Sequence, residues 1–144
     1  MDEFTTLINP ERPIPPFVQK LTGISNQMAA ESPKFPDVAK DVSNILAGSC
    51  FVAHNVKFDY SFFHQEFKNI GLDFHMDKLC TLQYSQKVWP DLGTYGLSKL
   101  CKAKGIEITD RHRAKGDALA TVELFKMLVA EDKNQFIKRL IKNS

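Results

Sequence analysis

A histidine and an aspartate lie five positions apart where an amphipathic stretch begins in the C-terminal third of the chain. His112 and Asp117 fall in the segment RHRAKGDALATVELF. Positions i and i+5 of one helix lie about 140° apart, so both side chains share a face only if His112 precedes the helix. We therefore predict a helix that begins near Gly116, which would leave the preceding loop free to turn the imidazole towards the carboxylate. Such a pair suits metal-assisted proton abstraction.

Two further polar positions interrupt apolar patterns where predicted elements meet. His54 closes CFVAHN, an apolar run typical of a buried parallel strand, and Asp59 falls in the first turn of a helix predicted from Val56 to Ile70. Helix capping explains each aspartate when it is considered alone. A carboxylate on an inward helix face, however, needs a cation or donors to offset its desolvation. The histidines that precede both aspartates therefore favour a metal site.

Helical and strand-like patterns alternate along the chain, which predicts an α/β domain with a central sheet. DEFTTLINP has the pattern of a strand, and the amphipathic helix FPDVAKDVSNILAG leads into the CFVAHN strand. DKLCTLQYSQKVW is predicted to be a short strand that runs into a helix, and YGLSKLCKAKGIEI a helix closed by Gly105. We expect the domain to span residues 1–131, followed by a basic amphipathic tail or linker at 132–144. Four aromatic side chains of the second helical pattern are expected mainly in the core: Phe58, Phe62, Phe63 and Phe67.

The composition is that of one ordinary globular domain. The chain has 144 residues, of which 43% are hydrophobic, and its net charge of +2 excludes a general polycation. Its three cysteines form no C-x-x-C pair, which indicates neither a zinc site nor a disulfide framework and favours the reducing cytoplasm. The longest weakly polar run, ILAGSCFVA, is far shorter than the ~20 residues of a membrane helix. We therefore expect a cytoplasmic protein without a membrane partner.

Several ordered segments resemble one enzyme family. HNVKFDYSFF resembles the second motif, and HRAKGDALATVELF the third motif, of the DEDDh 3′–5′ exonucleases, typified by the epsilon proofreading subunit of bacterial DNA polymerase III. NPERPIPPFVQKLTGIS and YGLSKLCKAKGIEI are similar to the connector and to the helix that precede these motifs. The resemblance covers nearly the whole chain and implies a ribonuclease H-like fold.

The resemblance also implies a chemistry and a set of roles. Two divalent ions, Mg or Mn, would promote hydrolysis of a phosphodiester at a DNA 3′ end, with single-stranded DNA as the expected substrate and RNA left open. Asp59 and Asp117 match two of the four acidic metal ligands, and His112 matches the general base. His54 and Asn55 of the second motif are the expected substrate-binding residues. A polymerase or a fused second nuclease domain is the expected protein partner.

The first motif of that family, D-x-E, has no match in this sequence. No glutamate of the chain has an aspartate two positions before it. MDEFTTLINP resembles the family's third strand, so the resemblance implies an exonuclease fold that is N-terminally incomplete and lacks the first two strands. With two of four metal-binding carboxylates missing, catalysis by this chain alone is expected to be impaired. The alternative is a non-catalytic module of the same fold that binds nucleic acid or a polymerase.

Basic residues flank the third motif and leave two interpretations open. They either contact backbone phosphates or form a solvated charged surface. They are Lys99, Lys102, Lys104, Arg111, Arg113 and Lys115.

Overall fold

The computed structural model describes residues 2–141, which form eight helices and two strands. The elements are, in chain order, α1 (Pro16–Thr22), α2 (Asn26–Ala30), α3 (Phe35–Leu46), β1 (Phe51–Ala53), α4 (Val56–Asn69), β2 (Lys78–Cys80), α5 (Thr81–Val88), α6 (Leu97–Ala103), α7 (Ala114–Glu131) and α8 (Ile137–Leu140). The predicted alternation of strands and helices is confirmed from α3 to α5, after which helices follow one another to the end of the described range.

The two strands pair in parallel, as the apolar CFVAHN run predicted. Val52 lies opposite Leu79 in the register of β1 and β2. Successive side chains of a strand point to opposite faces, so Phe51 and Cys80 enter one hydrophobic core while Leu79 enters a second. The small sheet therefore separates two cores, and each core holds helices that carry candidate site residues.

Aromatic rings dominate the first core, which anchors α4 against the sheet. Tyr60 and Phe67 of α4 are buried there with Phe51 and Phe74. The rings of Phe67 and Phe74 stack with centroids 5.0 Å apart. This packing fixes the start of α4, and thus Asp59, next to the end of β1.

The second core fixes α7 against α5 and α6. Tyr84, Leu100, Leu124 and Leu128 are completely buried in it. Leu124 and Leu128 are one helical turn apart and form the inward stripe of α7. Because Asp117 lies about two turns before Leu124 on the same helix, this stripe also fixes the position of its carboxylate.

The strand predicted at DEFTTLINP is wrong, because residues 2–10 form no ladder with another strand within the described range. The backbone N–H of Asn9 instead donates to the carbonyl of Pro33 at 2.8 Å. Ile8 packs against the first core, whereas Phe4 is 40% exposed. Strand propensity reflects the fit of a side chain to a neighbouring strand, and residues 2–141 offer this segment no such neighbour.

The expected burial of the α4 aromatic residues is only half correct. Phe67 is buried and Phe63 partly buried, but Phe58 and Phe62 are 61% and 57% exposed. Phe58 follows the buried Val56 by two positions, about 200° around the helix, so it points away from the core. Phe62 lies one turn further on the same outer face, and the two rings pack edge to face at 5.0 Å.

The described part of the predicted tail, residues 132–141, packs on the second core through Phe136, Ile137 and Leu140. Asp132 fixes this segment, since its carboxylate accepts hydrogen bonds from the backbone N–H groups of Phe136 and Ile137 and from the Tyr84 hydroxyl. Residues 142–144 of that tail lie outside the described residues, and the domain boundary at residue 131 stays a prediction. None of the helices described here is long and apolar enough to cross a membrane.

Candidate active site

The loop before α7 carries the first candidate pair. Helix α7 begins at Ala114 rather than near Gly116, so Asp117 lies in its first turn and His112 on the loop before it. His112 adopts a left-handed backbone conformation with a φ of 70°. Its backbone N–H donates to Asp117 Oδ1 at 3.4 Å, while the residue as a whole is exposed. The loop therefore turns back over Asp117 and leaves the imidazole facing solvent.

Gly116 permits this arrangement by close packing rather than by flexibility, so the expectation that it leaves the loop free is wrong. The residue is buried inside the first turn of α7. A Cβ atom placed on it would lie 1.8 Å from the carbonyl oxygen of Thr109 and 2.7 Å from that of Asp110. Both oxygens belong to the backbone, so only a residue without a side chain lets the loop pass this close to the helix.

Arg111 is the immediate partner of the Asp117 carboxylate. Its Nη1 lies 2.6 Å from Asp117 Oδ2, and its Nε donates to the hydroxyl of Ser98 at the start of α6. The two charged side chains are 34% and 28% exposed. The positive charge of Arg111 therefore offsets the cost of desolvating the Asp117 carboxylate.

His54 is held in place by protein contacts on both ring nitrogens. Nε2 lies 2.6 Å from the carbonyl oxygen of Tyr95, and Nδ1 lies 2.9 Å from the Thr81 hydroxyl. Because a carbonyl only accepts, Nε2 carries the proton and Nδ1 accepts from Thr81. Burial lowers the pKa of His54, the Tyr95 carbonyl acts in the opposite direction, and the Arg111 charge lowers it further. The ring is thus neutral and ties the end of β1 to α5 and the loop before α6.

Asn55 and Asp59 follow directly on the same chain segment. Asn55 takes a left-handed conformation with a φ of 67°, which asparagine tolerates better than most residues, and so turns β1 into α4 without a loop. Burial raises the pKa of Asp59, an effect that a hydrogen bond from its own backbone N–H partly offsets. No cationic nitrogen of the residues described lies within 4.0 Å of this carboxylate. The Asp59 carboxyl group is therefore partly desolvated and has no counter-ion among residues 2–141.

The structure links His54 to Asp117 through Arg111 and the segment before α6, and it leaves the relation between Asp59 and Asp117 open. The segment that leads into α6 joins them, since its Tyr95 carbonyl accepts from His54 while Ser98 accepts from Arg111. Arg111 in turn pairs with Asp117, so the end of β1 and the start of α7 belong to one region. Asp59 lies in the first turn of the helix that leaves β1, and no hydrogen bond among residues 2–141 joins it to Asp117. Residues 2–141 contain no group of three or more His, Cys, Asp or Glu side chains arranged to hold a metal. Carboxylate oxygens nevertheless suit Mg and Mn, and Asp59 has the charge such an ion requires.

Four residues that shape this site were not recognised as such from the sequence. Thr81 and Tyr95 hold His54, and Ser98 holds Arg111. Arg111 itself pairs with Asp117, whereas the sequence predicts either a phosphate contact or a solvated surface for it. Hydroxyl and carbonyl partners from distant loops leave no periodic signal in a sequence. The one available signal is Gly116, because a glycine in a helical pattern costs about 1 kcal/mol relative to alanine and thus suggests a packing reason.

Comparison with known proteins connects this geometry to one family. A family model described as Exonuclease matches residues 1–125. The chain is 38% identical over 129 residues to a DNA polymerase III PolC-type of Caldanaerobacter subterraneus subsp. tengcongensis, covering 89% of this chain and 9% of that protein. It is 36% identical over 131 residues to a 3′-5′ exonuclease DinG of Staphylococcus saprophyticus subsp. saprophyticus, covering 90% of this chain and 14% of the relative. The chain thus spans less than one sixth of the length of these curated relatives.

A solved structure shares the fold. Exonuclease X in complex with 5′ overhanging duplex DNA superimposes with a TM-score of 0.67 at 25% sequence identity, over 86% of this chain and 70% of that one. The predicted ribonuclease H-like exonuclease fold is confirmed, and members of this family typically use divalent metal ions. The chain therefore belongs to the exonuclease family, as a domain of the 3′–5′ exonuclease type.

Proposed function

We propose that this chain hydrolyses phosphodiester bonds at DNA 3′ ends in the cytoplasm, using two divalent ions, Mg or Mn. The observation that carries the proposal is the loop that folds over Asp117 and presents the exposed His112 beside it. A carboxylate in a partly buried first helical turn, which accepts the backbone N–H of an exposed histidine, would combine a metal ligand with a nearby proton acceptor.

Each candidate residue has a distinct role in this proposal. Asp59 and Asp117 would hold the ions, which when bound lower the charge at the scissile phosphate and activate water. His112 takes a proton, a task for which imidazole is suited near neutral pH. His54 and Asn55 bind substrate at the end of β1, with His54 held by Thr81 and Tyr95. The ring nitrogens of His54 are already engaged, so its part in binding is to shape the backbone that faces the DNA.

DNA is the substrate that the comparisons favour. The solved relative is named as a complex with 5′ overhanging duplex DNA, and one curated relative is a DNA polymerase III. The flanking basic residues, among them Lys99 and Lys102, supply positive charge near the third motif, whereas Lys115 pairs with Glu3. A polymerase is the protein partner we propose on the same grounds, with a fused second nuclease domain as the other arrangement.

We also propose that catalysis by these residues alone is slow. The sequence contains two of the four carboxylates of the family's metal site, and Arg111 occupies one of them. The same two facts favour a second candidate function, a non-catalytic module that binds nucleic acid or a polymerase. The two candidates differ in whether any nucleotide is released.

The test is single-turnover hydrolysis of single-stranded DNA by the purified chain in excess, with Mg, Mn or a chelator. A label on the 3′-terminal nucleotide and a second label at the 5′ end report the direction of degradation. His112→Ala removes the proposed base, and His75→Ala is a matched control because His75 is an exposed histidine that lies outside both motifs.

Metal-dependent release of the 3′ nucleotide that His75→Ala retains and His112→Ala loses supports the exonuclease. DNA binding measured by fluorescence anisotropy, without release under any metal condition, supports the binding module instead. Release that persists in the chelator contradicts the metal mechanism.

A further inference from the structure

The Arg111 guanidinium occupies the carboxylate on which the proposed metal site depends. One of its nitrogens lies 2.6 Å from Asp117 Oδ2, and the other carboxylate oxygen receives the backbone N–H of His112. Both oxygens of Asp117 therefore already have donors from the preceding loop. A metal ion that binds this carboxylate therefore shares it with the Arg111 guanidinium and the His112 backbone N–H.

Two cations at one carboxylate oppose each other. At the few ångströms that separate neighbouring ligands, like charges repel strongly in a partly desolvated site. Asp117 and Arg111 are both about two-thirds buried, so solvent screens this repulsion less than at an open surface. Binding of a divalent ion to Asp117 and pairing of Arg111 with Asp117 are thus antagonistic.

Contacts with two neighbouring helices fix the position of Arg111. Ser98 of α6 accepts from its Nε, so the guanidinium bridges the first turns of α6 and α7. The loop that carries Arg111 is held against α7, because the Thr109 carbonyl packs closely on Gly116. Arg113, two positions on, carries the same charge but directs its Nη1 to the carbonyl of Thr22.

We infer that Arg111 is a positioning residue that sets the metal affinity of Asp117, acting as a resident counter-ion which a divalent ion displaces. The inference rests on the proposed function only in taking Asp117 as a metal ligand. With no metal bound, Arg111 keeps the carboxylate and the His112 loop in place. When a metal binds, the ion pair breaks and the loop loses that restraint.

The test compares Mn²⁺ binding to the full-length chain, measured by electron paramagnetic resonance of the free ion, for wild type, Arg111→Gln and Arg113→Gln. Arg111→Gln should bind Mn²⁺ about fivefold to tenfold more tightly, a change of roughly 1 kcal/mol. Arg113→Gln removes the same charge from the same loop and should stay within about twofold of wild type, since charges at a distance are largely screened. Without metal, Arg111→Gln should melt at a lower temperature than Arg113→Gln.

A wild-type measurement keeps the inference testable if Arg111→Gln fails to fold. Saturating Mn²⁺ should increase hydrogen exchange of the backbone amides at residues 111–113, because the Arg111 restraint is lost. Unchanged exchange there overturns the inference. Mn²⁺ affinity of Arg111→Gln that equals or falls below wild type, including no detectable binding by either, also overturns it.

The proposed function and this inference fail separately. Tighter Mn²⁺ binding by Arg111→Gln without any DNA hydrolysis supports the inference and refutes the exonuclease. Metal-dependent hydrolysis with equal Mn²⁺ affinity in the three proteins supports the exonuclease and refutes the role of Arg111.

Discussion

Replacing Gly116 by alanine tests the close packing that shapes the site. In an ordinary helix this change is favourable, because alanine exceeds glycine in helix propensity by about 1 kcal/mol. Here the added Cβ would lie 1.8 Å from the Thr109 carbonyl oxygen and 2.7 Å from that of Asp110. Backbone oxygens cannot rotate away as a flexible side chain would. The loop must therefore move off the start of α7.

The magnitude follows from these opposing effects. Overpacking in a well-packed region costs about 1–3 kcal/mol and occasionally more, and a clash with two backbone oxygens belongs at the upper end. An upper-end cost of about 3 kcal/mol, less the propensity gain of about 1 kcal/mol, leaves a net loss of about 2 kcal/mol in the free energy of unfolding. For a chain of this size that lowers the melting temperature by roughly 3–10 °C. Displacement of the loop also removes the contacts of Arg111 and His112 with Asp117.

Thermal unfolding of Gly116→Ala beside Ala118→Gly is the appropriate assay. Ala118 is an exposed position in the same helix, so its replacement measures the propensity difference without a clash. We expect both variants to be destabilised, and hydrogen exchange at residues 109–113 to rise only in Gly116→Ala. A Gly116→Ala chain more stable than wild type, by the amount that Ala118→Gly loses, would refute the packing argument.

Three further predictions concern the environments of single side chains. Burial raises the pKa of Asp59 above its ordinary value of 3.8. The protonated carboxyl group therefore contributes stability to the fold below pH 3.8, and this contribution is lost as the pH rises through the raised pKa. Asp59→Asn should therefore melt higher than wild type at neutral pH without metal, and a gain that persists unchanged towards pH 4 contradicts this. Burial lowers the pKa of His54 below 6.5, so the stability that the neutral ring contributes above pH 6.5 is lost as the pH falls through the lowered pKa. In denaturant titrations at several pH values, the free energy of unfolding of His54→Gln should therefore depend less on pH than that of wild type. Tyr84→Phe removes the hydrogen bond to Asp132 and should cost about 1 kcal/mol, with faster proteolysis after Glu131; unchanged stability would argue against the contact.

Periodicity predicted the elements that position the site. The apolar run at Phe51–Ala53 and the inward stripe of α7 are local patterns with one physical interpretation, burial against neighbouring elements. The same reasoning failed for residues 2–10, since a strand exists only with a partner and none is present in the described range. It also failed for Phe58 and Phe62, because apolar character alone does not decide which face of α4 is covered.

The site itself was only partly predictable. The spacing of His112 and Asp117 predicted a loop before the helix, because two helical positions five residues apart cannot share a face. The pairing of Arg111 with Asp117 and the contact between Gly116 and Thr109 depend on how a short loop folds back, which no periodic signal encodes. The partners of His54 come from residues 27 and 41 positions further along the chain.

The most direct test of the central claim is the single-turnover rate of 3′-nucleotide release by His112→Ala relative to His75→Ala, with Mn present. Loss of a general base lowers such a rate by about 10²–10⁴-fold, while binding of the DNA stays nearly unchanged. We predict that His75→Ala retains the slow, metal-dependent release of wild type and that His112→Ala loses it at equal DNA affinity. Equal rates for the two variants would contradict the assignment of His112 and with it the catalytic interpretation of the loop above Asp117.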